Sequence, residues 1–167
     1  MNLTDLMPHK NIELLKLACS STFDPGSTGW TNMLLDQEKF NNMRGAELGA
    51  SGQFTLPAGK YLVTTIIHPV RSDHNKATLY NVSDTAYVEE AYCNSNWNSA
   101  DDGIGADQNV GTFAFTITSP KVFEMHIQFT TRNTSSRIGS GGTTVGPASP
   151  LDQDTFSYGE VLIIRHD

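Results

Sequence analysis

The chain has few cysteines, few charges and no long apolar run. Cys19 and Cys93 are its two cysteines. Two thiols this far apart make neither a metal-type cluster nor a disulfide framework. Each sits in or beside a predicted strand (16–19 and 91–93), as expected for two buried thiols of a chain made in a reducing cytosol. No apolar stretch approaches the roughly 20 residues of a membrane helix. The opening MNLTDLMPHKN lacks a basic start followed by an apolar core, so it does not read as a secretory leader. Charged residues make up only 17% of the 167, below the roughly 25% of a typical soluble domain. A net charge of −7 argues against a nucleic-acid surface, which needs clustered Lys and Arg. Helical periodicity is nearly absent. Its best candidate, 35–43, is weakened by Asn41-Asn42.

What is there reads as strands. Ile12–Ser20 is a first strand, with Ile12, Leu14 and Lys16 on one face and Leu15 and Leu17 on the other. A short strand is expected over 30–35. Leu56-Pro57-Ala58-Gly59 is a tight turn in which Pro57 presets φ and Gly59 tolerates positive φ. Lys60–His68 follows as a long strand with Tyr61, Val63, Thr65 and Ile67 on one face. Strands are expected over 76–82 and 85–92, with a turn at Asn81-Val82-Ser83-Asp84. Val110–Thr118 alternates, with Phe113, Phe115 and Ile117 on one side. Val122–Phe129 shows the cleanest alternation: Phe123, Met125, Ile127 and Phe129 inward, Glu124, His126 and Gln128 outward. The region 132–150 has loop composition with room for one short strand. In 156–165, the run Val161-Leu162-Ile163-Ile164 is apolar on both faces, which places it in a sheet interior or an oligomer interface. Roughly eight to ten short strands with frequent turns and no crossover helices make an all-β sandwich. The Cys-Trp-Cys framework of immunoglobulin domains is missing.

No constellation of catalytic residues emerges. None of the five histidines forms HExxH or shares a metal-type spacing. His126 lies on the polar side of a central strand, where a ring of copies about an axis would bind an ion or respond to pH. Asp101, Asp102 and Asp107 (DDGIGAD) lack the alternating ligands and final Glu of a calcium loop. GSGG at 139–142 fits neither a phosphate loop nor a nucleophile elbow. Glu89 and Glu90 are adjacent, so they point to opposite faces of a strand and cannot work as one acid–base couple. The chain therefore reads as a non-enzyme without cofactor or metal. Trp97, amid Asn and Ser in the long 94–108 loop, is the candidate recognition residue, joined by Asp101 and Asp102 as partner or receptor contacts.

FTLPAGKYLV, HNKATLYNVSD, GTFAFTIT, KVFEMHIQFTT and YGEVLIIR span about two thirds of the chain. Together they resemble the TNF-like, complement-globular-head-like jelly rolls found in virion proteins of tailed bacteriophages. The resemblance implies a jelly-roll β-sandwich of antiparallel strands over 12–167 that assembles as a threefold trimer. Its implied interface candidates are Tyr61, Phe113, Phe115, Phe129, Tyr158 and Leu162. Which strand parity faces the axis stays open. Such heads serve either as capsid decoration (cement) proteins or as receptor-binding heads of tail fibres and spikes. No shaft repeat precedes this domain, which points to capsid decoration. Residues 1–11 then read as an arm, with Leu3, Leu6, Met7 and Pro8 anchoring it to the shell. The expected partners are further copies of itself and the major capsid protein shell. The alternative partner is a host surface receptor or glycan. Neither nucleic acid nor membrane is expected. The expected location is the capsid surface of a virion made in the host cytoplasm.

Overall fold

A computed structural model of the chain describes residues 12–20, 29–67, 69–72, 74–88, 96–97, 109–129, 132–138 and 159–166. These residues hold fourteen strands, four of them only two residues long. The long ones are β1 (Glu13–Cys19), β3 (Gln37–Asn41), β6 (Gly59–Ile67), β8 (His74–Asn81), β11 (Asn109–Ile117), β12 (Lys121–Phe129), β13 (Arg132–Ile138) and β14 (Gly159–His166). The short ones are β2 (Thr31–Asn32), β4 (Glu47–Leu48), β5 (Phe54–Leu56), β7 (Pro69–Ser72), β9 (Ala86–Tyr87) and β10 (Asn96–Trp97). Residues 35–43 are not helical; strand β3 occupies their middle.

One sheet runs β11-β6-β14-β1-β3. The other runs β10-β8-β12-β5-β4, with β2 added beside β12 and β9 beside β8. β13 and β7 form a separate two-stranded ribbon. All strand pairings among the described residues are antiparallel, and β1 lies against β14, so the two ends of the domain share a ladder. Sequence neighbours β5 and β6, and likewise β11 and β12, belong to different sheets. That alternation wraps the chain around one core, as in a jelly roll.

Strict alternation builds the core. The five-stranded sheet turns Leu15, Leu17, Tyr61, Val63, Val161 and Ile163 inward, each fully buried. The facing sheet offers Phe54, Leu56, Ala77, Leu79, Phe123, Met125 and Ile127, all at 1% exposure or less. Phe115 stacks on Tyr61 at 5.5 Å and meets Phe123 of the other sheet at 5.4 Å. Met33 and Leu35, from the β2–β3 connection, close one side. Fully burying such a side chain contributes about 1.5–3 kcal/mol, so this layer dominates the stability.

Local chemistry fixes the turns. Tyr61 donates its buried hydroxyl to the Pro57 carbonyl oxygen, tying β6 to the turn before it. Gly59 does not adopt the positive φ expected of it; among the described residues the left-handed glycines are Gly45 and Gly52. Its missing side chain serves close approach instead: a Cβ there would lie 2.6 Å from Arg165 Nε. Arg165 in turn donates to Glu13 at 2.8 Å and to the Ala58 carbonyl at 2.7 Å. The turn after Asn81 is closed by Asp84, which accepts from Asn81 Nδ2 at 2.8 Å and from Lys121 Nζ at 2.6 Å. That hydrogen bond from Lys121, helped by its charge and by Asn81, holds the Asp84 carboxyl below its ordinary 3.8.

Candidate functional site

The outer face of the five-stranded sheet departs from the pattern of a solvated β-face, where polar residues are expected. Register aligns Ala114, Leu62, Ile164 and Leu14 across four strands. The next row is Thr112, Thr64, Leu162, Lys16 and Phe40. Val110 and Ile66 extend the apolar band in the row beyond. Leu62 is 38% exposed, Val110 42% and Phe40 51%. Leu14, Ile66, Leu162 and Ile164 are half-buried.

The polar groups within the band are mostly matched to one another. Lys16 and Glu160 pair at 2.9 Å, and the Thr64 and Thr112 hydroxyls lie 3.3 Å apart. A contiguous apolar band rimmed by internally paired polar groups is the signature of an association face.

The opposite face of the molecule has a different character. On the outside of the second sheet, four rings cluster over the fully buried Thr78. Tyr80 stacks on His126 at 4.8 Å, Tyr87 meets that imidazole edge-on at 5.6 Å, and Trp30 packs on Tyr87 at 5.2 Å. His126 Nε2 lies 2.8 Å from Glu124 Oε2, and its Nδ1 lies 3.2 Å from the Tyr87 hydroxyl. Gln53 donates to the other Glu124 oxygen at 2.8 Å, and Lys76 Nζ sits 5.0 Å above the Trp30 ring. The imidazole is therefore held within one protomer's surface network, on the sheet that does not carry the apolar band. Among the described residues no group of three His, Cys, Asp or Glu is placed to hold a metal ion. No helix among them is long and apolar enough to cross a membrane.

The structure divides the interface candidates. Tyr61 (0% exposed) and Phe113 (6%) point into the sandwich, so their rings belong to the protomer's own core and not to an outer contact. Phe115 is partly buried and packs against that core. Among the described candidates, Leu162 stands within the apolar band. Phe129 lies at the end of β12, in register with Asn75. Trp97 falls in β10, in register with His74. Tyr158, Asp101, Asp102 and the arm residues Leu3, Leu6, Met7 and Pro8 lie outside the described residues, as does Cys93. Cys19 is buried, as expected. The band residues not nominated from sequence are Leu14, Phe40, Leu62, Ile66, Val110 and Ile164. Their signal was present: β6 reads GKYLVTTII, with leucine and isoleucine at the alternate, outward positions.

No protein-family model matches the chain, and no curated protein matches it in sequence. Solved structures do match its fold. A crystal structure of murine APRIL at pH 5.0 superposes with a TM-score of 0.57 at 10% identity, covering 93% of this chain and 100% of that one. A second, of murine APRIL at pH 8.0, gives 0.54 at 11% identity with the same coverage. At such identity the likeness shows the fold alone: an all-β, TNF-like jelly roll.

Proposed function

We propose that the chain is a non-enzymatic structural protein of a virion, a homotrimeric decoration or cement protein on the capsid surface. The observation that carries this reading is the apolar outer face of the five-stranded sheet. Leu62, Leu162, Ile164 and their neighbours gain by leaving water, and the same face on every copy offers apolar surface to cover them. Covering a half-exposed Leu or Ile contributes about 1 kcal/mol, and several such residues per copy offset the entropy lost on association. The threefold state and the virion setting come from the resemblance of FTLPAGKYLV, KVFEMHIQFTT and YGEVLIIR to phage jelly-roll heads.

The mechanism is bridging. A trimer that touches several shell subunits at once adds their weak contacts, and so raises the free energy needed to separate them. Residues 1–11 serve as the anchoring arm in this reading. Electron microscopy of the intact particle, with copy number from quantified gels, tests it. Hundreds of copies on the shell are expected. A few to a few dozen copies at the tail would overturn the capsid role in favour of a receptor-binding head.

A further inference from the structure

One end of the five-stranded sheet carries a row of a different kind. Register sets Thr116 opposite Lys60, and Lys60 opposite His166. Register partners on one sheet face hold their Cβ atoms about 4.5–5.5 Å apart. A hydroxyl, an ammonium and an imidazole therefore stand side by side across three strands, and all three residues are exposed. They rim a cleft of about 540 Å³ whose other walls are Tyr61, Val88, Ala114 and Phe115. Val88 and Phe115 are partly buried hydrophobics packed on the core, so the floor is apolar.

The electrostatics of this row are unbalanced. Lys16, Lys121 and Arg165 each have a carboxylate within 2.9 Å. Lys60 has no ion-pair partner among the described residues, although the chain carries a net charge of −7. Among the described residues no Asp or Glu lines the cleft. A row of three donors bordering apolar walls suits one kind of molecule. An inorganic anion leaves the floor in water. An alcohol leaves the ammonium without a counter-charge.

We propose that this cleft binds a small amphipathic carboxylate. Its apolar body lies on Val88 and Phe115, and its carboxylate accepts from Lys60 Nζ, the Thr116 hydroxyl and an imidazole N–H of His166. Lysine offers three donors, and an imidazole keeps one N–H in either charge state. The volume falls within the roughly 300–1,000 Å³ usual for small-ligand sites. The cleft adjoins the apolar band and shares Ala114 with it, but its ligand chemistry does not rest on the capsid reading.

The test is a titration of hexanoate into ¹⁵N-labelled protein, with hexanol and inorganic phosphate as parallel arms at constant ionic strength. Saturating amide shifts are expected at Lys60, Val88, Ala114, Thr116 and His166. Half-saturation is expected at a concentration about fivefold or more below that of hexanol, the worth of one good charge-assisted hydrogen bond. Phosphate should leave these amides unmoved. Lys60→Gln, on an exposed side chain, should weaken hexanoate by a similar factor and leave hexanol unchanged. Equal half-saturation for hexanoate and hexanol would overturn the proposal. So would phosphate shifts matching those of hexanoate, hexanoate shifts elsewhere on the molecule, or a Lys60→Gln chain that binds hexanoate as the parent does.

Discussion

Leu62 and Ile164 are register partners on adjacent strands, and both present aliphatic side chains to the outside of the five-stranded sheet. Behind them, on the same two strands, Val63 and Ile163 are fully buried. The centre of this sheet is thus apolar on both sides. Inward residues are covered by the facing sheet. Outward ones have no cover among the described residues, and in the proposed reading self-association supplies it.

Leu62→Asp places a charge at the middle of the band. It should yield a folded monomer, because Leu62 is 38% exposed in the protomer and contributes little to its core. Circular dichroism should match the parent, while the mass by light scattering falls to 18.2 kDa. A parent-sized oligomer carrying Leu62→Asp would remove this face from the interface.

Tyr61 should behave as a core residue. Tyr61→Phe removes the hydroxyl bond to the Pro57 carbonyl and should cost about 1–2 kcal/mol in urea unfolding. Tyr61→Ala adds a cavity and should cost about 3–5 kcal/mol. Neither phenylalanine nor a smaller residue there should change the oligomeric state of the chains that still fold.

Gly52 carries φ +75° in a turn where an added Cβ would sit 2.7 Å from the Leu35 nitrogen and 2.9 Å from Leu34 Cα. Both neighbours are backbone, so they cannot swing aside. Gly52→Ala should therefore destabilise the fold by about 2 kcal/mol or more, combining left-handed strain with overpacking. A chemical denaturation midpoint equal to that of the parent would contradict this geometry.

Asp84 gives a pH test. Its carboxyl is held below 3.8, first by the hydrogen bond from Lys121, then by the charge of Lys121 and by Asn81. A lowered folded value means that the stabilisation is complete above the ordinary value and is lost as pH falls through the folded one. Asp84→Asn should thus melt slightly below the parent at pH 7. The gap should close as pH drops below 3.8. A gap that persists or widens in acid would reverse the assignment.

Much of the sandwich was legible from alternation. Phe123, Met125 and Ile127 read as one buried face, and all three are fully buried. The Val161–Ile164 run read as apolar on both faces, and so it stands: third of five strands, with Val161 and Ile163 inward and Leu162 and Ile164 outward. The side of the band was not legible. On β6, both parities are rich in apolar residues, so Tyr61 and Leu62 compete equally for the outer face until the second sheet is placed. Aromatic size favoured Tyr61 and Phe113 as contacts, but large rings fill the space between sheets better than the smaller residues beside them. The strand over 37–41 was hidden because Gln37, Glu38 and Lys39 carry no alternating pattern; pairing with β1 makes it a strand. The Trp30–Tyr80–Tyr87–His126 cluster joins three segments distant in sequence, with Tyr80 and Tyr87 paired across one hairpin, and no local period announces such a meeting.

Deleting residues 1–11 probes the arm separately from the body. The shortened chain should keep its oligomeric mass and lose binding to shells stripped of this protein. Binding equal to that of the full chain would reject the arm as anchor.

Sedimentation equilibrium of the full chain at micromolar concentration tests the central claim most directly. The account predicts a single species at three times 18.2 kDa. A stable 18.2 kDa particle under those conditions would contradict it.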